Sequence, residues 1–334
     1  MKLRLLCIFF GFLQFSCTSQ AQKINGVSYV AAPNPINQNH VDPVVKLHAN
    51  YAAVMPFGFL RKLNGTEVVH NTDRQWFGET RKGAKQYAEL LQKNNINIMV
   101  KPQIWVWNGE FTGLISMENE TDWKAFEASY ESFILEYASL AEEIDAEMFC
   151  IGTELHTFVA ARPEFWNALI TKVKKIYKGK LTYAENWDSF EKVPFWKQLD
   201  FIGIDAYFPL SEEKIPTLES LQKGWQSHKD KIVNLSKKVD RKILFTEYGY
   251  RSIEYTGKEP WDSNRKGKVL NLKAQEIALQ ALYNEFWKED WFAGGFIWKW
   301  FHNYEKSGGL EDFYFTPQNK PAEKIVRETY KLHQ

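Results

Sequence analysis

Two glutamates each follow an apolar run of the kind that forms a buried strand. Glu154 follows the run from Phe149 to Thr153, and Glu247 follows the run from Ile243 to Thr246. A buried carboxylate is costly unless it is hydrogen-bonded or paired, so carboxylates at such positions are candidates for chemistry. A structural ion pair with an arginine is the alternative for each glutamate taken alone.

The spacing of the two glutamates favours a joint role. They lie 93 residues apart, which is three units of about 31 residues, the usual size of a strand and helix in an eight-fold barrel. Both carboxylates would then reach the same face of a barrel. Such a pair suits glycoside hydrolysis, in which one carboxyl group protonates the leaving oxygen and the other attacks the anomeric carbon.

Polar and aromatic side chains follow the other strand-like runs. The candidates for substrate binding are Trp105 and Trp107 after the third run, Asn186 and Trp187 after the fifth, Tyr207 after the sixth and Trp298 at the end of the eighth. Aromatic faces can stack on the C–H faces of sugars, and the alternation of a strand predicts that Trp105 and Trp107 point the same way. Packing in the core is the alternative for each ring. Asp205 is a third carboxylate at a strand end and ranks behind the two glutamates.

These residues require a scaffold of alternating strands and helices. Eight predicted strands cover 26–30, 51–55, 96–100, 147–151, 180–184, 201–204, 243–246 and 294–298. Eight predicted helices cover 41–48, 81–93, 123–143, 163–176, 195–199, 218–237, 272–287 and 321–330. Strict alternation favours a parallel sheet, and eight units favour a single (β/α)8 TIM barrel of class α/β. A doubly wound open sheet is the rival, but the chain lacks its glycine-rich first turn.

Composition excludes several classes of protein. The chain has 334 residues, 42 Lys and Arg against 41 Asp and Glu, and a net charge of +1. This balance provides no electrostatic footprint for nucleic acid or for an anionic membrane. No spacing of Cys and His suits zinc and no glycine motif suits a nucleotide, so we expect no metal and no cofactor. The 13 Trp are consistent with either a large aromatic core or a sugar-binding cleft.

The first 21 residues have the pattern of a secretory signal. Lys2 and Arg4 precede an apolar stretch from Leu5 to Phe15 that is too short to span a bilayer. Cys17 directly after this stretch favours a lipoprotein signal with Cys17 as the lipidated residue, and cleavage after Ala21 is the alternative. We therefore expect an exported catalytic domain over 22–334, periplasmic or on the outer membrane and cell surface as a lipoprotein, and otherwise secreted. We expect it to be a monomer whose membrane contact is limited to that lipid anchor.

Four segments resemble the retaining glycoside hydrolases of clan A, and more closely the β-mannanase family 113. They are Ile151-Gly152-Thr153-Glu154, Gly203-Ile204-Asp205-Ala206-Tyr207-Phe208-Pro209, Phe245-Thr246-Glu247-Tyr248-Gly249-Tyr250 and Phe296-Ile297-Trp298. The resemblance implies that Glu154 is the acid/base and Glu247 the nucleophile. It also implies that the Tyr207 hydroxyl bonds the nucleophile, and that Trp298 forms the floor of the catalytic subsite with a cis peptide bond after it. Thr153 departs from the clan, which often has Asn before the acid/base.

The leading hypothesis is a retaining endo-β-1,4-mannanase whose partner is a β-linked polysaccharide or oligosaccharide, namely mannan. Another clan A activity, such as that of a cellulase, a xylanase or an exo-mannosidase, is the nearest alternative. A surface lipoprotein that binds glycans without cleaving them belongs to a different class. The presence of both Glu154 and Glu247 counts against this last alternative.

Overall fold

The computed structural model describes residues 22–264 and 267–334, and these residues form a closed parallel barrel. Its strands are β1 (Ile24–Tyr29), β2 (Tyr51–Val54), β4 (Asn97–Val100), β6 (Met148–Thr153), β7 (Lys180–Asn186), β8 (Phe201–Asp205), β9 (Lys242–Tyr248) and β10 (Phe292–Trp300). They follow one another around the barrel in that order, and β10 closes it against β1. The predicted single (β/α)8 barrel is confirmed, and each predicted strand overlaps an observed one. The signal and Cys17 lie outside the described residues.

Alternation along the strands divides the apolar residues between two cores. On β4, Met99 points into the barrel, whereas Ile98 and Val100 pack against the surrounding helices. The barrel interior is filled by a small cluster of buried side chains: Ile24, Ala53, Met99, Met148, Cys150, Ala184, Leu244, Ala293 and Phe296. Strands buried on both faces explain why the sequence shows continuous apolar runs instead of alternating ones.

The helices of the described residues cover the outside of the barrel. They are α1 (Gln38–Lys46), α2 (Arg81–Gln92), α3 (Glu120–Glu143), α4 (His156–Ala161), α5 (Pro163–Ile176), α6 (Leu218–Val239), α7 (Leu272–Phe286) and α8 (Pro321–Leu332). Asn37 and Asn119 accept hydrogen bonds from the first turns of α1 and α3, so both helices begin three residues before the predicted start. Within the described part of the chain, no helix is long and apolar enough to cross a membrane.

The predicted helix at 195–199 is wrong. All residues between β7 and β8 are described, and none of them is α-helical; the segment contains two 3₁₀ turns, Phe190–Lys192 and Trp196–Gln198, and the second covers the predicted helix. The Trp196 ring is buried and its indole N–H donates to the Phe190 carbonyl at 2.8 Å. The buried Trp196 ring packs under this connection, so a 3₁₀ turn covers the barrel here in place of a helix.

A second, smaller sheet stands on the carboxyl end of the barrel, and the sequence did not predict it. Strand β3 (Phe57–Leu60) continues from β2, and strand β5 (Gln103–Val106) continues from β4. The two pair in parallel, with Phe57 opposite Gln103 and Phe59 opposite Trp105. These two segments lie between predicted strands and helices, and they carry their aromatic side chains on paired, hydrogen-bonded strands.

Candidate active site

Glu247 lies on β9, and its carboxylate accepts hydrogen bonds from three side chains on two neighbouring segments. Lys101 Nζ, just past β4, lies 2.5 Å from Glu247 Oε1, and the Gln103 side-chain amide donates to the same oxygen at 3.1 Å. The Tyr207 hydroxyl, just past β8, donates to Glu247 Oε2 at 2.8 Å, as the family resemblance implied. Glu247 is only 6% exposed. The three donors therefore replace the water that its negative charge has lost.

Asp205 lies behind Glu247 and completes a buried cluster of charges. Its Oδ1 lies 3.4 Å from Lys101 Nζ and accepts a hydrogen bond from Thr246 Oγ1 at 2.7 Å. Burial alone would lower the pKa of Lys101, but the charges of Asp205 and Glu247 raise it above its usual value. Burial, followed by the charge of Glu247, raises the pKa of Asp205 to about 7. Asp205 thus contacts Lys101 and Thr246 behind Glu247, the nucleophile candidate, and does not line the cleft.

Glu154 sits on a turn of the backbone one residue past β6. Its φ angle is +50°, in the left-handed region that residues with a Cβ rarely adopt, and its N–H donates to the Ala184 carbonyl of β7 at 2.8 Å. Burial, and then the charges of Asp205 and Glu247, raise the pKa of Glu154 well above its usual value. Glu154 therefore keeps its proton at pH values where an ordinary glutamate has lost it.

A cleft of about 580 Å³ contains both glutamates. Its aromatic lining consists of Phe57, Phe59, Trp76, Trp105, Phe111 and Trp298. Trp105 is 50% exposed, so its ring offers a free face to the cleft. The Trp298–Lys299 peptide bond is cis, as the resemblance implied. The walls of the cleft thus combine flat apolar rings with two carboxyl groups at the bottom.

The other sequence-predicted binding residues lie away from this lining. Trp107 is 67% exposed and follows the last residue of β5, so the alternation of the strand does not extend to it. Asn186 accepts a hydrogen bond from the Trp187 backbone N–H at 3.0 Å, and the Trp187 ring stacks on Trp261 with their centroids 5.0 Å apart. The binding roles of Trp107, Asn186 and Trp187 remain predictions.

Sequence reasoning missed several residues of the site. Lys101 carried a visible signal, because a lysine directly after the apolar run of β4 is as unusual as the two glutamates. Gln103 and Phe57 carried none, since only the pairing of β3 with β5 brings them to the cleft. Glu185 on β7 was also missed; it is buried, and burial raises its pKa to about 7.

Two further observations concern the location of the candidate active site. Among the residues that the structure describes, no group of three or more His, Cys, Asp or Glu side chains could hold a metal ion. A larger cavity of about 840 Å³ lies between α1 and α8, and neither Glu154 nor Glu247 lines it. The carboxylates, and not the size of a cavity, therefore identify the candidate active site.

Several solved structures share this fold. The GH113 β-mannanase AaManA from Alicyclobacillus acidocaldarius, in complex with ManMIm, is 22% identical with a TM-score of 0.82 over 94% of this chain and 98% of its own. A GH113 β-1,4-mannanase complex is 20% identical with a TM-score of 0.79 over 93% and 99% of the two chains. A Faecalibacterium prausnitzii β-glucuronidase is 12% identical with a TM-score of 0.62, and the likeness covers 94% of this chain but 49% of that one.

Comparison with families of proteins is more specific than these likenesses of fold. No curated protein sequence matches the chain. The model of Glycoside Hydrolase Family 113 matches residues 33–320, which include every strand of the barrel except β1 and every residue of the site described above. The chain therefore belongs to Glycoside Hydrolase Family 113, and it is a glycoside hydrolase.

Proposed function

We propose that this enzyme is a retaining endo-β-1,4-mannanase with Glu247 as nucleophile and Glu154 as acid/base. The observation that carries the proposal is the unequal treatment of two carboxyl groups in one cleft. Glu247 accepts hydrogen bonds from Lys101, Gln103 and Tyr207, which stabilise its negative charge. Glu154 has a raised pKa and so retains a proton to donate. A retaining glycosidase needs a carboxylate nucleophile and a protonated acid before it reacts, and the donors around Glu247 and the raised pKa of Glu154 support this division of roles.

In the first step, a Glu247 oxygen attacks the anomeric carbon of the sugar and the glycosidic C–O bond breaks. Glu154 gives its proton to the departing oxygen, so the leaving sugar departs as a neutral alcohol. The products are a glycosyl ester on Glu247 and an ionised Glu154. The positive charge of Lys101 Nζ, 2.5 Å from Glu247 Oε1, balances the carboxylate before the bond forms.

In the second step, the ionised Glu154 takes a proton from water, and that water attacks the anomeric carbon. The ester bond to Glu247 breaks, and both glutamates return to their initial states. Two inversions leave the product with the β configuration of the substrate. The ester removes the negative charge of Glu247, which is one of the charges that raise the pKa of Glu154 in the free enzyme, so Glu154 loses its proton more readily and can act as the base in this step.

The choice of mannan rests on the family and on its solved members. The two similar family structures are described as β-mannanases, one of them as a β-1,4-mannanase. The aromatic lining of this cleft, which includes Trp298 and Trp105, offers flat faces for successive sugars. A cellulase or xylanase would use the same pair of carboxylates, so the substrate requires its own test.

The deciding experiment is the release of reducing ends from β-mannan, cellulose and xylan by the purified enzyme. We expect release from mannan alone, with a mixture of oligosaccharides appearing before the monosaccharide. Proton NMR of the first product should show the β anomer. A first product with the α anomer would contradict the retaining mechanism, and release from cellulose or xylan instead would contradict the substrate. A glycan-binding lipoprotein would bind mannan and release nothing.

We also propose that the enzyme is exported and attached to a membrane through a lipid on Cys17. The support is the order of a charged start, an apolar stretch and Cys17 in the first 21 residues. A diacylated N-terminus is sufficient for stable attachment. Cells that express the full chain should carry it in the membrane fraction, and Cys17→Ala should release it or block its processing. Soluble wild-type protein beginning at Gln22 would contradict the lipid anchor.

A further inference from the structure

The turn that carries Glu154 is fixed by three hydrogen bonds. The Glu154 N–H donates to the Ala184 carbonyl at 2.8 Å, and Thr112 Oγ1 donates to the Glu154 carbonyl at 3.2 Å. The next N–H, that of Leu155, donates to the Tyr183 hydroxyl at 2.8 Å. The left-handed backbone of Glu154 is disfavoured for a residue with a Cβ, so the neighbouring structure has to hold it.

The bond from Leu155 belongs to a buried chain that runs on to Glu185. An amide N–H can only donate, so the Tyr183 oxygen is the acceptor and its single proton is free for another partner. That proton goes to Glu185 Oε2 at 3.1 Å. The other oxygen of Glu185 accepts from the Asn186 N–H and the Ser189 hydroxyl, each at 2.9 Å. The bond from Leu155 to Tyr183 therefore has a fixed direction, and it leaves the Tyr183 hydroxyl as the donor toward Glu185.

This chain is separate from the cleft. Tyr183 and Glu185 are at most 1% exposed, and neither lines the cleft that contains the glutamates. Both oxygens of Glu185 have partners within β7 and the turn after it. Glu185 therefore has no route to the substrate, although it is a third buried carboxyl group near Glu154.

We propose that Tyr183 and Glu185 are positioning residues, which hold the left-handed turn at Glu154 so that its carboxyl group is aimed at the leaving oxygen. The inference rests on the proposed function, because it assumes that Glu154 is the acid/base. Tyr183 and Glu185 lie two residues apart on β7, the strand next to β6, so the hydrogen bonds that hold the turn come from a rigid part of the barrel. A carboxyl group misplaced by about 1 Å can lose about 10²-fold in rate.

The test compares Tyr183→Phe with Tyr130→Phe. Tyr130 is a matched control, because its buried hydroxyl donates to the Ile151 carbonyl of β6 at 2.9 Å and does not bond the turn. Two substrates separate positioning of the acid/base from general damage. Cleavage of a mannooligosaccharide needs protonation of a poor leaving group, whereas a dinitrophenyl β-mannobioside with azide needs neither the acid nor the base.

We expect Tyr183→Phe to slow the oligosaccharide by about 10- to 100-fold while the aryl mannobioside with azide stays within about twofold. In Tyr130→Phe the ratio of the two rates should stay that of the wild type. Hydrogen exchange at the Leu155 amide, measured without substrate, should speed up only in Tyr183→Phe. Equal losses on both substrates, or unchanged exchange at Leu155, would overturn the proposal.

Glu185 is tested by a pair of variants. Glu185→Leu removes the acceptor for the Tyr183 proton and should lower the oligosaccharide rate selectively, as in Tyr183→Phe. Glu185→Gln keeps the size of the side chain and one of its two oxygen acceptors, so it should lower the ratio of rates less than Glu185→Leu does. A wild-type ratio of the two rates in Glu185→Leu would show that Glu185 has no positioning role. A wild-type enzyme that cleaves neither substrate would instead refute the proposed function.

Discussion

Glu247 and Glu154 reach the same cleft, but the protein surrounds them in opposite ways. Glu247 meets an ammonium group, an amide and a phenol hydroxyl within hydrogen-bonding distance. Glu154 is buried near three acidic groups, Asp205, Glu247 and Glu185, and the hydrogen bonds that hold its turn are made by its backbone. The difference corresponds to the two roles proposed above, because Glu247 is supplied with hydrogen-bond donors, whereas Glu154 is shielded from water and placed beside negative charges.

Removal of the nucleophile should have the largest effect. Glu247→Ala is expected to lower turnover of mannan on the order of 10⁴-fold or more, because no covalent intermediate can form. Added azide should occupy the vacated space, attack an activated β-mannobioside and give the α-mannobiosyl azide. Rates of reducing-end release and NMR of the azide product check this prediction. A β-azide would mean that the roles of the two glutamates are reversed.

Removal of the acid should have a smaller and more selective effect. Glu154→Ala is expected to slow mannan by about 10²–10⁴-fold, but to spare the glycosylation step of substrates with good leaving groups. The wild-type enzyme should lose activity as pH rises through the raised pKa of Glu154, since its proton is required. That alkaline limb should vanish in Glu154→Ala assayed with an activated substrate. An unchanged alkaline limb would contradict the assignment.

Removal of Lys101, the cation shared by Asp205 and Glu247, should lower the stability of the fold. Lys101→Met leaves the carboxylates of Asp205 and Glu247 buried without a positive partner. We expect the free energy of unfolding to fall by about 3–5 kcal/mol, measured by urea denaturation at neutral pH. The control is Lys172→Met, which breaks a largely exposed pair with Glu131 and should cost about 0–1 kcal/mol. Similar losses in both variants would contradict the buried cluster.

The aromatic wall should give the smallest effect. Trp105→Ala is expected to raise KM for mannooligosaccharides by about tenfold, the value of one good ring contact. Trp107→Ala should change KM little, because this tryptophan lies outside the lining of the cleft. Kinetics on oligosaccharides of increasing length measure both. Equal increases in both variants would support the binding role that the sequence predicts for Trp107.

The barrel and its two glutamates were predictable because both leave a local pattern. Apolar runs that end in a carboxylate mark the ends of β6 and β9 without any knowledge of contacts. The helix at 195–199 failed because a 3₁₀ turn with a buried Trp196 has nearly the same local composition as a short helix. Gln103 and Phe57 reach the site only through the pairing of β3 with β5, which joins segments more than 40 residues apart. Such pairing leaves no periodic trace in the sequence.

The small sheet of β3 and β5 has a consequence for the entropy of binding. Gln103, which bonds Glu247, and Trp105, which faces the cleft, are two residues apart on one extended strand, so roughly 6–7 Å separates them along its axis. Mobile loops must be immobilised when they grip a polymer, and that ordering weakens binding. Here the backbone hydrogen bonds between β3 and β5 order Gln103 and Trp105 before a ligand binds. The sheet therefore holds the Trp105 ring at a fixed distance from Glu247, the proposed nucleophile, before any substrate binds.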